Sequence, residues 1–339
     1  MLNLNLNTLS SKLTEQPRGI FQGLVSASFV LYGGGGAGGI NQYDGGGGGA
    51  GMVVSGSIHI VPNVTYDVIV GAGGSGSIAN TALDGEDSFL YGFMQLPSIP
   101  MSAKAGGGKA GPVASGTGDD ARKGGNSGDG YVYLRPGVSS SYPAFLGGNG
   151  GFEQSGGFGP NFAAGGGAGS GQNGENGVAG RSGTGANSGD GGRGALVASS
   201  SLQTFGYYSS SYVTSYAGGD GQIAFALGAA GGGGGGSSPT AVVGAGGLFG
   251  GGSSNAPSFE RIGWGPGAGG GGSFSTGGGS GNGGDGRCFL IYCGVPKMDV
   301  TNATTTYDNV HNRTIHIFNK GTGSFYFDFE KYGALEGCL

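Results

Sequence analysis

The chain has 339 residues, of which 89 are glycine, and it carries only 10% charged residues and a net charge of −5. With no cluster of Lys and Arg to neutralise phosphates, nucleic-acid binding is not expected. No apolar run approaches the roughly 20 residues of a membrane span, no secretory signal is visible, and three cysteines do not make a disulfide framework. The chain reads as made and folded in a cytosol.

Ordering a glycine costs roughly 0.5–1 kcal/mol more than ordering an alanine. Over the whole chain that is on the order of tens of kcal/mol, which scattered loops cannot offset. The composition therefore points either to disorder, as in a cell-wall matrix protein, or to a regular lattice of closely packed backbones. Fifteen tyrosines and 18 phenylalanines are too many for a flexible linker, and disorder also wants a higher net charge.

Residues 1–19 form an N-terminal arm. Leu2, Leu4 and Leu6 alternate with asparagines, a period-two strand signal suited to pairing with a neighbouring chain or to an ordinary first strand. Leu6, Leu9 and Leu13 would also suit a short helix. Residues 20–294 make the glycine-rich domain. A strong strand, 20–32, runs straight into GGGGAGG (33–39), and a second glycine block follows at 45–51. Strands at 52–61 and 65–70 flank a turn at Pro62-Asn63, and VGAGGSGS (70–77) resumes the glycine pattern.

The stretch from about 103 to 286 is dominated by glycine. Gly171, Gly174, Gly177, Gly180 and Gly183 recur every three residues. Collagen would need abundant proline, and residues 171–183 have none. The other period-three solution is a left-handed extended helix without internal hydrogen bonds, whose N–H and C=O groups bond to neighbouring helices. A second repeat places Gly-Asp-Gly ahead of a strand at Asp129, Asp220 and Asp285, and more weakly at Asp190. It reads as a tight turn in which Asp caps and Gly takes positive φ. Residues 295–339 are a small C-terminal segment, with 312–318 and 324–329 reading as a β-hairpin around 319–323. The fold class is thus mostly β and irregular, polyglycine II-type helices combined with strands and very little α-helix.

At this point the residues resemble the glycine-rich domains of bacteriophage tail fibres and receptor-binding adhesins. FVLYGGGGAGG, then PNVTYDVIVGAGG (62–74), GEDSF (85–89), AGGGKAG (105–111) and GGDGRCFLIY (283–292) follow the order of those domains. The resemblance covers roughly 20–292. In such domains the motif matching 306–327 usually precedes the first glycine block, whereas here it is C-terminal. The resemblance implies a virion protein that assembles with other virion proteins and with itself, as a homo-oligomer and by analogy a trimer. It further implies attachment to a host surface glycan or protein receptor.

No catalytic, metal or cofactor site is expected. His59 and His316 sit in strands and read as satisfied strand histidines. G-x-G-x-x-G matches carry no weight at this glycine content, AGGGKAG lacks the Ser or Thr of a phosphate loop, and a Gly-Asp-Gly site offers too few oxygens for calcium. Binding chemistry is better represented. Phe205, Tyr207, Tyr208, Tyr212 and Tyr216 stand among serines, a paratope-like composition; Phe158, Phe162 and Trp264 lie in other glycine-bounded loops. These rings suit a receptor, or they pack over the lattice or between subunits. The alternatives to attachment are a minor capsid, decoration or cement protein, and an ice-binding protein, which would want regular Thr or Ala rows.

Overall fold

The structure is a computed structural model that describes residues 25–40, 45–76, 82–94, 99–112, 123–135, 138–142, 144, 146, 151–153, 161–163, 167, 266–272 and 280–333. The arm (Leu2, Leu4, Leu6), the 171–183 repeat and the Asp190 and Asp220 motifs lie outside these residues.

Two antiparallel sheets dominate. Strands β1 (Val25–Tyr32), β2 (Val53–Ile60), β10 (Arg287–Cys293), β12 (Ala303–Asp308) and β13 (Arg313–Phe318) form a five-stranded sheet in the order β12-β13-β10-β1-β2. Strands β3 (Thr65–Val70), β4 (Ser88–Met94), β5 (Ile99–Ala105), β6 (Gly130–Arg135), β7 (Val138–Tyr142), β11 (Asp299–Thr301) and β14 (Gly321–Tyr326) form a seven-stranded sheet in the order β11-β14-β3-β4-β5-β6-β7. A separate pair joins β8 (Gly151–Glu153) to β9 (Asn161–Ala163). Helix is confined, among the described residues, to α1 (Phe329–Tyr332), capped by Asp328.

The sheets enclose one core, with Phe29 and Leu31 of β1, Leu290 and Tyr292 of β10, Tyr66 and Val68 of β3, and Phe325 of β14 all buried in it. The burial patterns explain the strands. In β3 burial alternates strictly, as a sheet with one solvent face requires. In β10 it is continuous through the middle of the strand, because the far face of the five-stranded sheet is buried as well. Val30, Tyr32, Val53, Phe289 and Ile315 cluster there, and Tyr32 meets Phe289 edge-on at 6.1 Å.

The glycine segments continue these strands. The β1–β2 ladder ends at Tyr32–Val53. In the same register, the N–H groups of Gly33, Gly36 and Gly39 then donate to the carbonyls of Met52, Gly49 and Gly46. The β1–β10 register continues as Gly35 to Gly284 and Gly38 to Gly281, β3–β4 as Glu86 to Ala72 and Leu83 to Ser75, and β5–β6 as Gly106 to Asp129 and Lys109 to Asn126. Pairing is unbroken, but each bonded partnership now recurs every third residue. The N–H groups of 33–39 rotate through three neighbours, 45–52, 82–87 and 280–286. Their carbonyls accept from three more: Gly34 and Ala37 from Gly108 and Gly111, Gly35 from Gly74, and Gly36 from Gly270.

Such close contact leaves no room for side chains. A Cβ on Gly35 would lie 1.9 Å from the Ala268 carbonyl oxygen, and one on Gly38 1.9 Å from that of Gly271.

Two sequence expectations are corrected. The segments 312–318 and 324–329 are not a hairpin: β13 pairs with β10 and β12, and β14 pairs with β3 and β11. The chain crosses between sheets after Phe318, turning at Gly321 with φ 115°. Phe318 and Phe325 both enter the shared core, 6.2 Å apart, and that burial outweighs local hairpin closure. The hairpin is instead β12–β13. The described Gly-Asp-Gly motifs are not turns either. Positive-φ glycines among the described residues are Gly267, Gly294, Gly321 and Gly333; Gly128, Gly130, Gly284 and Gly286 stay extended, because the strand register runs straight through them. The Pro62-Asn63 turn is present, with Asn63 at φ 61°. Cys288 is a buried free thiol, and Cys293 is disulfide-bonded.

Candidate functional site

The ends of the glycine segments farthest from the sheets meet at one place. Gly39 bonds Gly46, Gly38 bonds Gly281, Gly281 bonds Gly271 and Leu83 bonds Ser75. This follows from the alternation of outgoing and returning segments: 33–40 leaves β1 and 45–52 returns to β2, 71–76 leaves β3 and 82–87 returns to β4, 106–112 leaves β5 and 123–129 returns to β6. Outgoing and returning segments therefore stop together at this end of the lattice.

At the lattice edge, side chains replace missing backbone acceptors in the same period of three. Asp87 and Asp84 accept from the N–H groups of Gly107 and Ala110, both at 2.8 Å. Asp285 and Asn282 accept from Gly73 and Gly76 at 2.8 and 2.7 Å. The GEDSF segment adds Glu86 Oε2 to Ala72 N–H at 3.0 Å and the buried Ser88 Oγ to Gly71 N–H at 2.9 Å. Each acidic edge residue of these pairs also has a lysine partner: Asp84 with Lys109, Asp87 with Lys104, and Asp285 with Lys320 at a looser 3.7 Å. Lys104 bridges Asp87 and Asp129. Partial burial disfavours its charge, but the hydrogen bonds to both carboxylates outweigh that and hold the ammonium above its ordinary range. Gly73 to Ser75, Asn282 to Asp285 and Lys320 line a shallow groove at this edge.

A second polar network lies inside the sandwich. His316 is fully buried. Its Nδ1 is 2.8 Å from Thr305 Oγ1 and its Nε2 3.2 Å from Tyr292 Oη, which accepts from the Lys297 N–H at 2.9 Å. Burial pulls the imidazole down to about 4. His59, by contrast, is exposed, with Ser26 Oγ 3.5 Å from its Nδ1. His311 pairs with Asp308 at 2.7 Å, while the same carboxylate accepts the N–H groups of Val310 and His311. That pair caps the β12–β13 turn. Among the described residues no group of three His, Cys, Asp or Glu is placed to hold a metal ion, and no helix is long and apolar enough to cross a membrane.

Of the receptor residues read from the sequence, Phe158, Phe205, Tyr207, Tyr208, Tyr212, Tyr216 and Trp264 lie outside the described residues. Phe162 is in β9, in register with Phe152. Sequence reading missed the edge acceptors. Their signal is the spacing of three in Asp84–Asp87 and Asn282–Asp285, a polar echo of the glycine period. It also missed the outward aromatics of β4 and β6, whose signal is the period of two in Phe89–Tyr91 and Tyr131–Tyr133. No protein-family profile, no curated protein and no solved structure matches the chain.

Proposed function

We propose that the chain is a non-enzymatic structural protein of a virus particle, a tail-fibre or receptor-binding component whose rigid glycine scaffold carries displayed loops to a host surface. The observation that carries this reading is the threefold bonding of 33–39. A polyglycine II helix has three residues per turn and no internal hydrogen bonds. In a hexagonal stack it donates to three neighbours and accepts from three others, the pattern found around 33–39. On this reading the glycine segments are such helices, and the end where outgoing and returning segments stop together is the display end. The resemblance to tail-fibre adhesins supplies the particle, the oligomer and a host glycan or protein as partner.

The test is a particle carrying Tyr207→Ala, Tyr208→Ala and Tyr212→Ala. Attachment predicts normal particle assembly with reduced adsorption to cells. Normal assembly with unchanged adsorption overturns the receptor role and leaves a capsid, decoration or cement role.

A further inference from the structure

The seven-stranded sheet turns one face to the core and one to solvent, and the solvent face sets aromatic rings among its polar residues. Strand registers set out two rows across it, Phe89–Lys104–Tyr131 and Tyr91–Ser102–Tyr133. Tyr91 and Tyr131 are 37% and 39% exposed, and Phe89 and Tyr133 are half-buried. Phe89 and Tyr91 stack at 5.4 Å and 12°, which stiffens both rings. In each row the aromatics are two strands apart, about 10 Å.

The polar residue in the middle of each row decides what this face fits. A dry protein interface wants an apolar centre depleted of lysine, and here Lys104 sits between Phe89 and Tyr131. A charged polymer wants unpaired charge, and the Lys104 ammonium is already held 3.1 Å from Asp87 and 3.0 Å from Asp129. Rings alternating with a hydroxyl and an amine match a sugar, which has an apolar C–H face and a rim of hydroxyls, and the two carboxylates around the single Lys104 disfavour an anionic one. Aromatic faces carry the negative side of a quadrupole and attract such C–H bonds. We propose that this sheet face binds a neutral polysaccharide lying across the strands, its sugar rings stacked on aromatics two strands apart and its hydroxyls bonded to the polar residues between. The site is distinct from the displayed loops and does not depend on the chain's being a virion protein.

Native electrophoresis through gels containing hydroxyethylcellulose, galactomannan or dextran tests this. The expected result is retardation by at least one polymer, weakened about tenfold or more by Tyr91→Ala with Tyr131→Ala. Tyr91→Phe with Tyr131→Phe keeps the rings and should keep much of the retardation. Thermal melts of both variants should stay cooperative, the alanine pair losing only the Phe89–Tyr91 stack. Absence of retardation in all three polymers overturns the proposal. So does retardation that survives the alanine pair but is lost with Tyr207→Ala, Tyr208→Ala and Tyr212→Ala, which places binding in the loops. A parent protein that sediments as a larger assembly than the alanine variant also overturns it, because the face is then a contact between copies.

Discussion

Gly33 is the first residue beyond the β1–β2 ladder, and its N–H donates to the Met52 carbonyl at 3.0 Å in the register of the strands behind it. At this pair the chain changes from a period of two to a period of three without losing alignment. A sheet residue bonds within one plane. A residue of 33–39 bonds in one of three directions, so the layer thickens into a three-dimensional stack. The sandwich core thereby fixes the register of a lattice that has almost no side chains of its own to fix it.

Gly35→Ala should destabilise the protein by about 3 kcal/mol or more, since overpacking costs of that order arise even where side chains can move aside. Here the added Cβ meets the Ala268 carbonyl oxygen at 1.9 Å, and backbone cannot yield without breaking its own bonds. Ala37→Gly, two residues away and equally buried, should cost only about 0.5–1 kcal/mol, the entropy of ordering a glycine. Chemical denaturation of both variants checks the contrast. Equal losses would contradict the close packing described.

Asp285 should matter as an acceptor rather than as a charge. Its Oδ1 takes the Gly73 N–H at 2.8 Å, while its exposed pairing with Lys320 is loose and contributes little. Asp285→Asn retains an acceptor oxygen and should leave stability nearly unchanged. Asp285→Ala should lose about 1 kcal/mol, the usual net value of one hydrogen bond. The urea midpoints separate these cases, and a loss for asparagine as large as for alanine would assign the effect to charge.

Much of the sandwich was legible because burial writes itself into sequence as alternation: TYDVIV gave β3 with its bounds, and RCFLIY gave nearly all of β10. Strands β4 and β5 were not read, for local reasons. Gly92 interrupts β4 because a Cβ there would lie 2.1 Å from the Tyr66 ring. In β5, Pro100 and the small Ala103 and Ala105 hide a strand that packs against larger neighbours. The crossing between β13 and β14 was misread because turn residues at 319–323 satisfy a hairpin locally, whereas Phe318 and Phe325 are placed by a core the local sequence does not contain. Asp285 was missed as an edge acceptor because Gly-Asp-Gly is a turn in most chains, and only an extended neighbour offering an N–H every third residue makes it a cap.

Cys288 should be inert in the folded protein. Burial pushes its thiol up to about 12, so little thiolate forms at ordinary pH, and reagents cannot reach it. Iodoacetamide should label it only as fast as the protein unfolds, with the rate rising through the denaturant transition. Rapid labelling without denaturant would mean that the β1–β10 contact opens locally.

His316 should make stability fall on acidification. The neutral ring is favoured in the fold, with its titration pulled down from 6.5 to about 4 by burial. Above 6.5 the ring is neutral in both folded and unfolded chains, so it contributes no pH dependence. As pH falls from 6.5 towards about 4, the unfolded chain binds a proton that the folded chain does not, and stability is lost across that window. The full loss is roughly 3 kcal/mol. Tyr292 faces the ring as a neutral phenol, raised further by burial, and supplies no compensating charge. Asp299 and Asp308 titrate below the ordinary 3.8, so the stability they contribute is lost only at lower pH. Urea unfolding from neutrality down to pH 4 should show the slope in the parent protein, and His316→Gln should flatten it while lowering stability overall. A variant that keeps the parent's slope would place the acid sensitivity elsewhere.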